Sequence, residues 1–212
     1  MSVTNWVAGK LAEDGKLAII GRTAEDFLIV KSEHDYTFVV AVLGVKNVIG
    51  LSDVEPLFAG STKPQFVVNV PSGALWTGAA IDRIHAESAA FGTLGHIARA
   101  AATEDAGSYR NKDMRFFIEG MAQHSNVSNV SYEYDKVFKV ERKIGGSLVV
   151  AVIDAYNMSA EDVRNARTRF GHFDVIIKQS NYGSITSQAE AAAKSIGAQA
   201  LSWRDLLIRL AN

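Results

Sequence analysis

The stretch Thr37-Phe-Val-Val-Ala-Val-Leu-Gly-Val-Lys-Asn47 decides the fold, and an echo of it occurs 110 positions later as Ser147-Leu-Val-Val-Ala-Val-Ile-Asp-Ala-Tyr-Asn157. Short apolar runs of this kind predict strands that are covered on both faces of a sheet. Valine favours a strand over a helix, because β-branched side chains lose χ1 freedom in a helix. We therefore expect residues 38–45 and 148–155 to be the central strands of the fold.

The same offset of 110 positions relates residues well beyond the two strands. Pairs at this offset are identical or similar in type: Val30 and Val140, Phe66 and Ile176, Gly73 and Gly183, and Arg99 and Arg209. A fixed offset over most of a chain indicates a tandem duplication. The alternative is that two α/β segments match only because they share the same hydrophobic periodicity.

The order of elements predicts an α/β fold made of two tandem αβββαβ-type units. Three strands joined by tight turns follow the first helix of each half, so we expect antiparallel neighbours. The strand after the next helix is expected to run parallel to its partner through a right-handed crossover. The units are expected at residues 1–103 and 114–212, related by pseudo-twofold symmetry, with the polar segment 104–113 as a linker.

Composition excludes several classes of protein. The formal net charge is −1, which does not favour a globally basic nucleic-acid-binding surface. The chain has no cysteine, which excludes disulfides and thiolate metal sites. No secretory signal and no membrane-length apolar run is present, so we expect a cytoplasmic protein without a membrane partner. A protein or nucleic-acid partner is left open, as is the choice between a monomer and a homo-oligomer.

The tail of each half has a consistent order: a strand, a turn containing serine and glycine, a helix, a short strand and a closing helix. Together with the αβββαβ order, this resembles the restriction-endonuclease-like superfamily, also called PD-(D/E)XK, and its Mrr-like members. The resemblance implies an acid near the second strand and a (D/E)-x-K pattern at the end of the third. In that family the carboxylates bind Mg²⁺ or Mn²⁺, and the lysine positions the attacking water.

Neither half carries the complete pattern. The third strand of the second half ends with Asp154 and has Tyr156 where the lysine is expected. The third strand of the first half ends with Gly44 in place of the acid and has Lys46 as the lysine. Asp135 is the candidate first acid of the second half, so a metal there would be held by Asp135 and Asp154.

The split pattern predicts a catalytically degenerate nuclease-fold protein that acts as a binding or assembly module, with no cofactor. The first alternative is a nuclease dependent on Mg²⁺ or Mn²⁺ with a variant site at Asp135 and Asp154. Tyr156 and Lys46 complete the set of degenerate catalytic candidates, although pseudo-twofold packing does not favour a meeting of Lys46 with Asp154. In the first half, Glu25 takes the place of Asp135. Each candidate also has an ordinary structural interpretation, as a residue at a strand end or in a turn.

The second alternative is a binder of small anionic ligands. Two turns rich in glycine and hydroxyl groups precede helices, and free backbone N–H groups at such places bind anions. The candidate residues are Ser72, Gly73, Thr77, Ser180, Asn181, Gly183 and Thr186. The competing interpretation is a plain turn followed by an N-cap. Capping boxes are predicted at Ser52 with Glu55 and at Ser159 with Asp162.

Overall fold

The computed structural model describes residues 2–13, 15–180 and 182–211. The chain divides into two units, Met1–Asn111 and Lys112–Asn212. The segment 104–113, which we expected to be a linker, contributes to the first unit up to Asn111. It contains a 3-10 turn at Ala106–Ser108, and the backbone N–H of Ala106 donates to the Tyr36 hydroxyl at 2.8 Å.

The first unit contains the predicted order of elements, with the short strands β4 and β6 in addition. Its helices are α1 (Val3–Glu13), α2 (Leu51–Val54), α3 (Gly78–Ala86) and α4 (Leu94–Ala101). Its strands are β1 (Leu17–Arg22), β2 (Leu28–Ser32), β3 (Thr37–Leu43), β4 (Val48–Ile49), β5 (Phe66–Asn69), β6 (Leu75–Trp76) and β7 (Ala90–Gly92). A 3-10 turn at Glu55–Phe58 continues α2, because Pro56 cannot supply a helical N–H.

A five-stranded sheet of order β1-β2-β3-β5-β7 forms the centre of the first unit. The first three strands are antiparallel, whereas β5 runs parallel to both β3 and β7, as the sequence predicted. Helices α1 and α4 pack on one face through Val7, Leu11 and Ile97, which are buried against Phe38 and Phe66. Strands β4 and β6 form a separate parallel pair that the sequence did not predict.

The second unit has the same order of elements, except that an isolated parallel bridge between Met158 and Ile185 stands in place of the β4–β6 pair. Its helices are α5 (Lys112–Ala122), α6 (Ala160–Phe170), α7 (Ser187–Ser195) and α8 (Trp203–Ala211). Its strands are β8 (Val127–Tyr134), β9 (Val137–Arg142), β10 (Leu148–Ile153), β11 (Val175–Lys178) and β12 (Gln199–Leu201). They form a sheet of order β8-β9-β10-β11-β12, antiparallel for the first three strands and parallel for the last three.

The pairing registers correct the constant offset of 110. Val40 pairs with Phe66 in the first unit, and Val150 pairs with Val175 in the second. Phe66 therefore corresponds to Val175 rather than to Ile176, which is an offset of 109. The connection from β10 to β11 is one residue shorter than the connection from β3 to β5. Strand pairing, rather than the gapless sequence alignment, therefore sets the correspondence between the units.

One of the two predicted capping boxes is correct. Ser159 is the N-cap of α6: its hydroxyl accepts from the Asp162 N–H at 3.2 Å, and Asp162 accepts from the Ser159 N–H at 2.8 Å. The prediction at Ser52 was wrong, because α2 begins at Leu51 with Gly50 as its N-cap. The helix therefore begins two residues earlier than predicted, and Asp53 rather than Glu55 accepts from the N-cap backbone, since the Gly50 N–H donates to its Oδ2 at 2.8 Å.

Candidate functional site

The carboxyl ends of the three parallel strands of the second unit lie at one edge of its sheet. Ligands of α/β proteins bind preferentially at such edges, where the loops after the strands diverge. A groove of about 460 Å³ opens there. Its lining comes from the end of β11, the loop before α7, α7 itself and the first turn of α8: Lys178, Ser180, Gly183, Ile185, Glu190, Ser202, Trp203, Arg204 and Asp205.

Lys178 is the buried polar residue of this groove, with 8% of its surface exposed. It is the last residue of β11, so its stem continues the apolar strand Val-Ile-Ile while its ammonium group reaches the loops. The ammonium donates to the backbone carbonyl of Tyr156 at 3.2 Å and to that of Tyr182. Lys178 thereby ties the loop after β10 to the loop after β11.

Gly183 brings the same two loops into close contact. Its φ is +78°, and a Cβ at this position would overlap the Tyr156 carbonyl oxygen and lie 2.7 Å from the carbonyl carbon. Asn157 adds a side-chain link, because its Oδ1 accepts from the Ser184 N–H at 2.9 Å. The loop pair is thus tightly built, and it leaves the side chains of Tyr156 and Tyr182 67% and 78% exposed.

Asn69 occupies the corresponding position in the first unit, as the last residue of β5. It is 2% exposed, and its Nδ2 donates to the carbonyls of Val45 at 2.9 Å and Pro71 at 3.0 Å. Its Oδ1 accepts from the Val45 N–H at 2.9 Å. In both units, therefore, a buried polar side chain at the end of the fourth strand of the sheet bridges the loop after the third strand and the loop after the fourth. The side chain is a neutral amide in the first unit and a cation in the second.

The two candidate acids of the second unit lie at the same end of the sheet. Asp135 is in the β8–β9 hairpin turn, and Asp154 directly follows β10 and is exposed. The backbone shows the proximity of these segments, because the Val152 N–H donates to the Lys136 carbonyl at 2.9 Å. Tyr156, at the lysine position of the pattern, projects into solvent. In the part of the chain that the structure describes, no group of three or more His, Asp or Glu residues is placed to hold a metal ion.

The candidate residues of the first unit are differently placed. Lys46 is exposed in the loop after β3. At the acid position, a Cβ on Gly44 would come 3.1 Å from the Val3 side chain, so little room remains for a larger residue. Glu25, in the turn between β1 and β2, accepts a hydrogen bond from the Thr62 N–H at 3.2 Å and so holds the loop before β5. This hydrogen bond lowers the pKa of the Glu25 carboxyl group.

The two threonines of the predicted anion-binding turns are N-caps. The Thr77 hydroxyl accepts from the Ala80 N–H at 3.3 Å, and the Thr186 hydroxyl accepts from the Ala189 N–H at 3.1 Å. Each hydroxyl also donates to a backbone carbonyl, that of Ile49 or Met158, so both hydroxyls are engaged within the fold.

The remaining residues predicted to bind anions divide between the units. Ser180 and Gly183 line the groove of the second unit. Ser72 and Gly73 lie exposed in the turn after β5. Asn181 lies outside the described residues.

Sequence reasoning missed Lys178, Asn69 and Arg204. The available signal was a single polar residue at the end of an otherwise apolar strand, in Phe-Val-Val-Asn69 and in Val-Ile-Ile-Lys178. A buried strand that ends in a polar residue indicates a side chain with a specific partner at the sheet edge. The Ser202-x-x-Asp205 pattern similarly marks the start of α8, since the Asp205 N–H donates to the Ser202 hydroxyl at 3.1 Å.

No helix in the described ranges is long and apolar enough to cross a bilayer. No protein-family model, curated protein or solved structure matches this chain.

Proposed function

We propose that this chain is a tandem pair of restriction-endonuclease-like units in which nuclease chemistry is lost and the scaffold acts as a binding or assembly module. The strand order supports the family assignment: the main sheet of each unit has five strands in chain order, with the second antiparallel to the others. The shared order and the equivalent positions of Asn69 and Lys178 support a duplication.

The observation that carries the proposal is the use of Lys178. A nuclease of this class needs a lysine near its metal-binding acids that is able to position water. Two protons of the Lys178 ammonium are directed to backbone carbonyls, and Asn69 makes the same kind of bridge in the first unit. Lys178, the lysine at the end of β11, thus has a structural task, and Asp154 has the exposed Tyr156 two positions on instead of a catalytic lysine.

The metal test compares wild type with Asp154→Ala, using Glu161→Ala as a control for an exposed carboxylate on α6. We expect calorimetry with Mn²⁺ to give no saturable binding that depends on Asp154, and no DNA cleavage with Mg²⁺ or Mn²⁺. Saturable binding and cleavage that both disappear in Asp154→Ala, and that persist in Glu161→Ala, would refute the proposal in favour of a variant nuclease.

The binding role predicts a partner that contacts the exposed tyrosines of the loop pair. Replacement of both Tyr156 and Tyr182 by alanine should abolish partner capture without unfolding the unit, because both side chains are largely exposed. Ile144→Ala is the control, since Ile144 is 76% exposed in the β9–β10 turn, at the opposite end of β10. Equal capture by wild type and the double variant would contradict a binding role for these loops.

A further inference from the structure

We propose that the groove of the second unit binds a phosphate group, with Lys178 and Arg204 as its cationic ligands. This inference rests on the proposed binding role and names the chemistry of the ligand. The argument begins with the charge of Lys178. Among the described residues, no carboxylate lies within ion-pair distance of its ammonium group, although the side chain is 92% buried.

The bridge between the loops does not require that charge. Asn69 makes the corresponding bridge with a neutral amide and contributes an acceptor as well. A buried ammonium group without a counter-charge carries a large desolvation penalty. The hydrogen bonds to the Tyr156 and Tyr182 carbonyls offset part of this penalty, and an anion in the groove would compensate the rest.

The groove supplies the other groups that a phosphate needs. Arg204 lies exposed on the first turn of α8, where its guanidinium group is available for paired hydrogen bonds to phosphate oxygens. Ser180 and Ser202 also line the groove, but their hydroxyl groups are engaged within the fold, with Tyr182 and Asp205 respectively. The amino end of α8 contributes its dipole to the same wall.

Two carboxylates also line the groove, and their placement limits their repulsion of an anion. Asp205 accepts a hydrogen bond from the Ser202 hydroxyl at 2.6 Å within the cap of α8. Glu190 is exposed on the first turn of α7, where solvent screens its charge. Neither forms an ion pair with Lys178, so the buried cation keeps its full attraction for a ligand.

The test is a titration with inorganic phosphate in the presence of EDTA, followed by calorimetry and by backbone amide shifts. Wild type should bind saturably, with shifts at Gly183 and Ser184. Lys178→Asn, which introduces the residue of the first unit, should weaken binding roughly tenfold or more through loss of a charged hydrogen bond. Arg204→Ala should also weaken binding, and it alters no buried contact. Lys194→Ala, an exposed cation of α7 outside the groove, should bind as wild type.

A second arm with adenosine monophosphate distinguishes the source of the phosphate. Tighter binding than inorganic phosphate, reversed by alanine at Tyr156 and Tyr182, would identify a nucleotide; equal affinity would identify free phosphate. Equal affinity of wild type, Lys178→Asn and Arg204→Ala, or no saturation below about 10 mM, would overturn the site. Because EDTA removes metal, a failure of phosphate binding leaves the metal test of the proposed function, Asp154-dependent Mn²⁺ binding and cleavage, unaffected.

Discussion

Replacement of Gly183 by alanine should destabilise the second unit, whereas the same change at Gly73 should not. Both glycines lie in turns that precede equivalent helices: Gly73 is four residues before the N-cap Thr77, and Gly183 is three residues before the N-cap Thr186. Gly183 has φ +78° and no room for a Cβ beside the Tyr156 carbonyl. A Cβ on Gly73 would have no atom within 4 Å, and the residue is exposed.

The magnitude follows from two costs at Gly183. An L-residue in the left-handed region costs about 1–2 kcal/mol. The loop must also move away from Tyr156, which weakens the carbonyl bonds of the buried Lys178 ammonium and costs about 1–3 kcal/mol. The free energy of unfolding should therefore fall by about 2–5 kcal/mol in Gly183→Ala. Gly73→Ala should stabilise by up to about 1 kcal/mol, because alanine lowers the entropy of the unfolded chain.

Urea denaturation followed by circular dichroism measures both changes, with linear extrapolation to water. Hydrogen exchange followed by mass spectrometry assigns them to a unit, through peptides that cover 175–186 and 66–76. Faster exchange confined to 175–186 in Gly183→Ala is the expected result. A Gly183→Ala protein with wild-type stability and wild-type exchange at 175–186 would refute the close loop contact and the bridging role of Lys178.

Three further changes test other parts of the fold. Asn69→Ala should lower the free energy of unfolding by about 2–4 kcal/mol in urea titrations, because it removes three hydrogen bonds and leaves buried backbone groups without partners; unchanged stability would contradict the bridge. Ser159→Ala should cost about 1 kcal/mol, since the Asp162 N–H loses its acceptor, and a Ser→Ala change at exposed Ser195 serves as its control. Burial, and secondarily the charge of Arg110, lowers the pKa of His85 to about 4 from an ordinary 6.5. The unfolded chain therefore takes up a proton first, so stability should be lost as the pH falls from 6.5 towards 4. His85→Gln should reduce this loss in thermal unfolding measured across that range, and an identical pH profile would show that another group is responsible.

The local elements were largely predictable from the sequence. The run 148–155 was expected as a central strand and contains β10 (Leu148–Ile153), because valine-rich apolar runs suit a strand covered on both faces. The Ser159 cap was predictable for a similar reason, since serine three residues before an acid is a local signal. The antiparallel and parallel pairings also followed, because tight turns and helical crossovers restrict strand direction.

The candidate site was less predictable. Asp135 and Asp154 were identified from a family pattern, whereas the buried ends of the parallel strands are held by Asn69 and Lys178, which that family pattern does not include. Their importance depends on which loops meet at the sheet edge. Asn69 contacts Val45, which lies 24 residues earlier in the chain, and Lys178 contacts Tyr156, which lies 22 residues earlier. Sequence spacing alone does not specify such contacts.

The sequence by itself determined the α/β class, most strands of the two main sheets and the Ser159 cap, because these depend on side-chain periodicity and on hydrogen bonds between residues close in the chain. Only the tertiary structure decided the offset of 109 at the fourth strand of each sheet, the glycine requirement at Gly183, and the burial of the Lys178 cation. These depend on strand register and on the approach of distant backbone segments, where differences of one residue or about 1 Å change which groups fit.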